Sequence, residues 1–210
     1  DQNRGKIYHR VMVGSESRMQ SFLNRLLSSV CVSENWDRLM ERGVDILFEP
    51  GTHDYVAYDI LWGAQNHPQV PVYYQPNGGH SQTPHVAAAK DEQNRDAFLW
   101  NHFFGGDSLL IPPASSHEIN KDKLRVRVSF DEGPQPTSGR IWWMYDRAPA
   151  GSAPFLHIPI PEDQWADMER DPKTGSWTVT IPLKEGASRI DFFSNHGHMA
   201  NGYQQYHSSP

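Results

Sequence analysis

Between Asp45 and His80 the chain reads DILFEPGTHDYVAYDILWGAQNHPQVPVYYQPNGGH. An apolar run, Ile46–Phe48, enters a turn at Gly51 that leads to Asp54, and a second, Val70–Tyr74, enters Pro76-Asn77-Gly78-Gly79 and leads to His80. A carboxylate and an imidazole carried by loops at the ends of neighbouring strands can work as one unit. The imidazole, with a pKa near neutrality, takes a proton from a nucleophile and returns it to the leaving group. The carboxylate fixes its tautomer and stabilises the imidazolium. Each residue also has a plainer role, Asp54 as the cap of a following helix and His80 as an ordinary loop residue. Their order, acid loop and then base loop on consecutive strands, favours the catalytic pair. Asp59 is the fallback acid, although it falls inside a helix-like stretch, and His53 and His85 are fallback bases. His53, Asp54, His80 and His85 would also be the set for a metal ion. No metalloenzyme spacing accompanies them, and eleven histidines generate chance clusters, so no metal or other cofactor is expected.

The elements that must position this pair are read from periodicity. Lys6–Val13 suits a strand. Met19, Phe22, Leu23, Leu26, Leu27 and Val30 recur at helical steps, and Glu34–Arg42 predicts a short helix stopped by Gly43. Asp45–Phe48 and Val70–Tyr74 are strand-like, with a helix predicted over Tyr55–Ala64 between them. Val86–Phe104 predicts a long helix with Gly105-Gly106 just past its end. The order β-α-β-α-β-α implies α/β architecture with a partial parallel sheet, here over residues 1–110. After a Pro-rich stretch at Leu110–Ser116 the pattern changes. Leu124–Phe130 alternates, and Arg140–Tyr145, Phe155–Ile160, Trp177–Leu183 and Arg189–Ser194 are further strand candidates separated by turn residues. Short strands at this spacing predict a C-terminal antiparallel β-sandwich over 117–210.

A nucleophile is harder to place. Val13-Gly14-Ser15-Glu16-Ser17 follows a strand and precedes a helix, but Glu16 occupies the position that a G-x-S-x-G elbow gives to serine. Ser15 and Ser17 read better as the start of a helix.

In the light of these elements, residues 6–106 resemble the C-terminal half of an α/β-hydrolase. Lys6–Val13 matches its strand six, the GTHD loop after Asp45–Phe48 its acid loop, and the PNGGH loop after Val70–Tyr74 its histidine loop. IWWMYDRAP (141–149) and SWTVTIPL (176–183) are similar to the β-domain of PhoPQ-activated pathogenicity-related proteins and secreted peptidase-like hydrolases. The resemblance implies a Ser-Asp-His triad for ester or amide hydrolysis with Asp54 as acid and His80 as base. Its nucleophile would lie upstream, on a missing segment or a partner chain. It also implies a small-molecule or peptide substrate and leans toward a secreted or periplasmic setting. An aspartate nucleophile, as in dehalogenases and epoxide hydrolases, is the alternative chemistry. A half-sheet with an open edge leaves unpaired backbone groups, so a partner polypeptide supplying the other hydrolase half is expected.

Composition sets outer bounds. The 210 residues are 37% hydrophobic, with seven Trp, eight Tyr and nine Phe, enough for a packed core. A net charge of −6 and no basic run argue against nucleic acid. A single cysteine, Cys31, excludes an intrachain disulfide. No apolar run approaches the roughly 18 residues of a membrane span. Trp142, Trp143, Trp165 and Trp177 fit a sandwich core better than exposed sugar-stacking platforms. The competing function is a non-catalytic protein whose β-domain recognises a glycan or a protein. The pair His196-Gly197-His198 faces either the active site or nothing.

Overall fold

The computed structural model describes residues 21, 25, 35–53, 68–79, 91–147 and 159–209. The chain divides into two compact units, Asp1–Asp45 and Ile46–Pro210. The described part of the first contains one short helix, α1 (Trp36–Glu41), ended by Gly43 at φ 65. The predicted strand Lys6–Val13, most of the helix over Met19–Val30 and the helix over Tyr55–Ala64 lie outside the described residues.

The second unit is β-rich. Its strands are β1 (Ala114–Asn120), β2 (Lys123–Ser129), β3 (Ser138–Tyr145), β4 (Trp165–Asp167), β5 (Glu169–Arg170), β6 (Trp177–Pro182), β7 (Ile190–Ala200) and β8 (Tyr203–Ser209). They form two four-stranded sheets, ordered β1-β2-β6-β5 and β4-β3-β7-β8, in which every pairing is antiparallel. Alternation explains the core. In β2, Leu124, Val126 and Val128 are buried while the intervening Arg125 and Arg127 are exposed. These three join Trp177 and Ile181 of β6 and Ile141 and Trp143 of β3 in one apolar cluster fed by both sheets. This arrangement is compatible with a β-sandwich.

The α/β architecture with a partial parallel sheet is therefore corrected. Among the described residues, parallel pairing is confined to two isolated bridges, Phe48–Val72 and Gly51–Gln75. The reason is visible in the backbone. Phe48 N–H donates to Pro71 O and Tyr73 N–H to Phe48 O, then Gln75 N–H donates to Pro50 O and Thr52 N–H to Gln75 O. This register needs an intervening donor from residue 50, and proline has none. Asp45–Phe48 and Val70–Tyr74 run side by side as extended segments and do not become hydrolase strands seven and eight. The long helix expected over Val86–Phe104 is also shorter where it is described. As α2 it spans Asn94–Phe104, with Gly105 at φ 71 just past its end.

Two strands escaped sequence reading. β1 is exposed along its whole length and starts inside the Pro-rich stretch Leu110–Ser116, and β8 (YQQYHSS) carries no aliphatic residue. β8 nonetheless anchors the unit, because its open edge is covered by other segments. Gln93 N–H donates to Gln204 O, and Gln204 N–H donates to Gln93 Oε1. The buried Asn94 amide donates to Tyr206 O and accepts from Tyr206 N–H at 2.9 and 2.6 Å, imitating a strand partner. Ser208 N–H donates to Val72 O at 2.8 Å. Exposed edges invite pairing with other chains, and here residues 72, 93 and 94 block it.

Asn94→Ala removes both amide contacts and orphans two backbone groups of Tyr206. Stability should fall by about 2 kcal/mol, at the lower part of the penalty for unmade hydrogen bonds because the edge is near solvent. Urea unfolding of the variant checks this.

Candidate functional site

Asp54 and His80, with the fallbacks Asp59 and His85, lie outside the described residues, whereas the loops that lead to them are described up to His53 and Gly79. These loops are bonded to each other. His53 N–H donates to Gly78 O at 2.8 Å, and Asn77 N–H donates to Thr52 Oγ1 at 2.8 Å. Thr52 Oγ1 also lies 3.2 Å from His53 Nδ1. The approach is close because Gly51 has no side chain: a Cβ there would collide with the Gly78 carbonyl. Asn77 sits at φ 55, in the left-handed region that asparagine tolerates. Its side chain donates to Ile160 O and accepts from Ile160 N–H. Arg147 Nη2 donates to Thr52 O at 2.7 Å. The loop pair is thus held from two sides.

A carboxylate pair that sequence reading missed lies at the base of the first loop. Glu49 is buried and accepts from Arg95 Nε at 2.8 Å. Glu92 accepts from Asn94 N–H at 2.5 Å, capping the start of α2. Burial is the main influence on Glu92, pushing its pKa up to about 7, and the neighbouring Glu49 adds to the rise against the lowering by the Asn94 N–H and Arg95. Two ionised carboxylates cannot hydrogen-bond to each other. A proton on Glu92 makes it a donor to Glu49 and relieves their repulsion. Tyr73, stacked on Tyr206 at 5.9 Å, adjoins this group, and burial followed by the charge of Glu92 raises its pKa well above the ordinary phenol value. The hint available in the sequence was Asp91-Glu92 beside the Arg95 of a predicted helix, but a helix drawn from Val86 absorbed all three.

His196 of β7 resolves differently. His196 points into the core between the sheets, packed against Trp177 and Phe130, with its Nε2 2.9 Å from Ser194 Oγ. It is the cross-strand partner of His207, whose Nδ1 is 2.8 Å from Ser208 O. Burial lowers His196 to about 3, with His207 adding to the effect, and lowers His207 to about 4. Both imidazoles are neutral core residues. Gly139 makes room for His196 and Trp177, since a Cβ there would meet His196 Nδ1 and Trp177 Cε3 at 2.9 Å. Trp142, Trp143 and Trp177 are buried, while Trp165 is 36% exposed. Among the described residues no group of three or more His, Cys, Asp or Glu is placed to hold a metal ion, and no helix is long and apolar enough to cross a membrane.

No family model matches the chain, and no curated protein or solved structure matches it significantly.

Two outcomes follow from these contacts. Gly51→Ala forces the loops apart, so the amides of Thr52 and His53 should lose hydrogen-exchange protection while the β3 and β7 amides keep theirs. Glu92 binds its proton more tightly when folded than when unfolded. Its contribution to stability is complete below the ordinary carboxyl value of 4.5 and is lost as pH rises through about 7. Urea unfolding across that window should show Glu92→Gln removing this loss relative to the wild type.

Proposed function

We propose that this chain contributes the acid and base of an ester or amide hydrolase, with His80 as general base and Asp54 as its orienting carboxylate. The observation that carries the reading is the hydrogen bond from His53 N–H to Gly78 O. It joins the residue before Asp54 to the residue two before His80. The described loops that lead to Asp54 and His80 are thereby tied to each other. The clasp at Gly51 and the Asn77–Ile160 pair add rigidity, which a catalytic pair requires.

In this mechanism a serine hydroxyl on a partner segment attacks the carbonyl carbon while His80 takes its proton. The imidazolium, stabilised by Asp54, returns that proton to the leaving alcohol or amine as the bond to the acyl group breaks. Water, deprotonated by His80, then attacks the acyl-serine and releases the acid, regenerating the hydroxyl. The partner segment is supported by the far end of α2, where Phe103 and Phe104 are 70% and 74% exposed beside Leu99 and Trp100. Contiguous apolar surface of this kind suits coverage by another polypeptide.

Replacement of His80 by Ala in the assembled protein should lower turnover of a short aryl ester by about a hundred- to ten-thousand-fold, with the circular dichroism spectrum unchanged. Undiminished turnover would remove His80 from the role. Labelling of the assembly by a fluorophosphonate supports serine as nucleophile, and resistance to it points to aspartate.

A further inference from the structure

We propose that the outer face of the β4-β3-β7-β8 sheet carries a binding site for a neutral saccharide, separate from the loops of Asp54 and His80. The argument starts from register. Asp167, Arg140 and Asn195 are cross-strand partners in one row, and Trp165, Trp142 and Phe193 form a second. Cross-strand partners share a face, and this face is the one turned away from the core that Ile141 and Trp143 fill. On the other side of the first row, Ser138, Gly197 and Tyr206 make a third.

Gly197 lets the neighbouring side chains of Ser138, Gln204 and Tyr206 close over the middle of that third row. A Cβ there would lie 2.5 Å from Ser138 Oγ and 2.9 Å from both Gln204 Nε2 and Tyr206 Cε1. Over these rows lies a cavity of about 380 Å³, walled by Tyr73, Asp91, Arg140, Trp142, Asp167 and Tyr206 among others. That size falls within the roughly 300–1,000 Å³ of small-molecule sites.

The wall chemistry selects the ligand. Tyr206 Oη donates to Asp91 Oδ2 at 2.9 Å, and Arg140 Nε and Nη2 both reach Asp167 Oδ1 at 2.8 and 2.7 Å. One oxygen of each aspartate is thereby used, and the other, Asp91 Oδ1 and Asp167 Oδ2, accepts no hydrogen bond among the described residues. A ligand dense in hydroxyl groups satisfies such acceptors, whereas an apolar ligand would strand them. An anion would meet two carboxylates and one guanidinium that already pairs with Asp167. The sugar's C–H faces have aromatic surface to rest on. Trp165, the cross-strand neighbour of the lining Trp142 at 6.1 Å, is 36% exposed and has the Arg140 guanidinium 4.2 Å from its ring centre.

Calorimetric titration of the folded protein with neutral gluco-, xylo-, manno- and N-acetylglucosamine disaccharides and tetrasaccharides at millimolar concentration tests the site. Oligogalacturonate and tetramethylammonium serve as anionic and cationic probes. The expected result is saturable binding of at least one neutral oligosaccharide. Trp165→Ala and Asp91→Asn should each weaken it by about tenfold or more, equivalent to about 1.4 kcal/mol, with circular dichroism unchanged. Absence of binding by every neutral probe, preference for a charged probe, or unchanged affinity in either variant overturns the proposal. The titration reads binding alone, so its outcome is independent of whether Asp54 and His80 support turnover.

Discussion

The open edge of β8 is the constraint on which the second unit depends. Strand edges carry backbone groups that must find partners, and β8 finds them in Gln93, Asn94 and Val72. These contacts do more than finish a sheet. Val72 belongs to the segment that leads to the histidine loop, and residues 93 and 94 begin α2. By satisfying its own edge, β8 brings both to the β4-β3-β7-β8 sheet. The Ser208 hydroxyl adds to this, accepting from Tyr74 N–H at 2.7 Å and donating to Asn195 Oδ1 at 2.6 Å. Tyr74 O in turn accepts from the Asn195 amide at 3.2 Å.

Around that edge, ionisable groups are sorted by environment. His196 and His207, enclosed by aromatic rings and strand backbone, are neutral. Their stabilising contribution is present above the ordinary imidazole value of 6.5 and is lost as pH falls toward 4 and 3, because charging them in the core costs the folded state alone. Glu92 has the opposite sense, keeping its proton up to about 7 beside Glu49. The two effects oppose each other between 4.5 and 6.5, the interval that their values share.

Much of the β-rich unit was legible because alternation is local. Lys123–Ser129 and Trp177–Pro182 present apolar residues on one face and polar residues on the other, and each became a strand close to its expected limits. β1 and β8 were not legible, since their side chains carry little apolar signal and their pairing is decided by neighbours. The parallel sheet was overread. Apolar runs at Ile46 and Val70 do lie alongside each other, but Pro50 withholds the donor that would join the two bridges into a ladder. The aromatic residues divided by face: Trp143 and Trp177 fill the core, whereas Trp165 of β4 stays at the surface.

The sequence by itself determined where the turns fall, which strands alternate, that α2 stops at Gly105, and that the loops leading to Asp54 and His80 are short and glycine-containing. These are properties of single residues and their near neighbours. Tertiary structure alone decided that Gly51 lies against Gly78, that Glu49 meets Glu92 and Arg95, and that Ser138 and Tyr206 wall one cavity. Gly51 and Gly78 are 27 residues apart, Glu49 is 43 from Glu92 and 46 from Arg95, and Ser138 is 68 from Tyr206. No local pattern encodes such meetings, because they are fixed by strand register and by which backbone groups are left for a distant segment to satisfy.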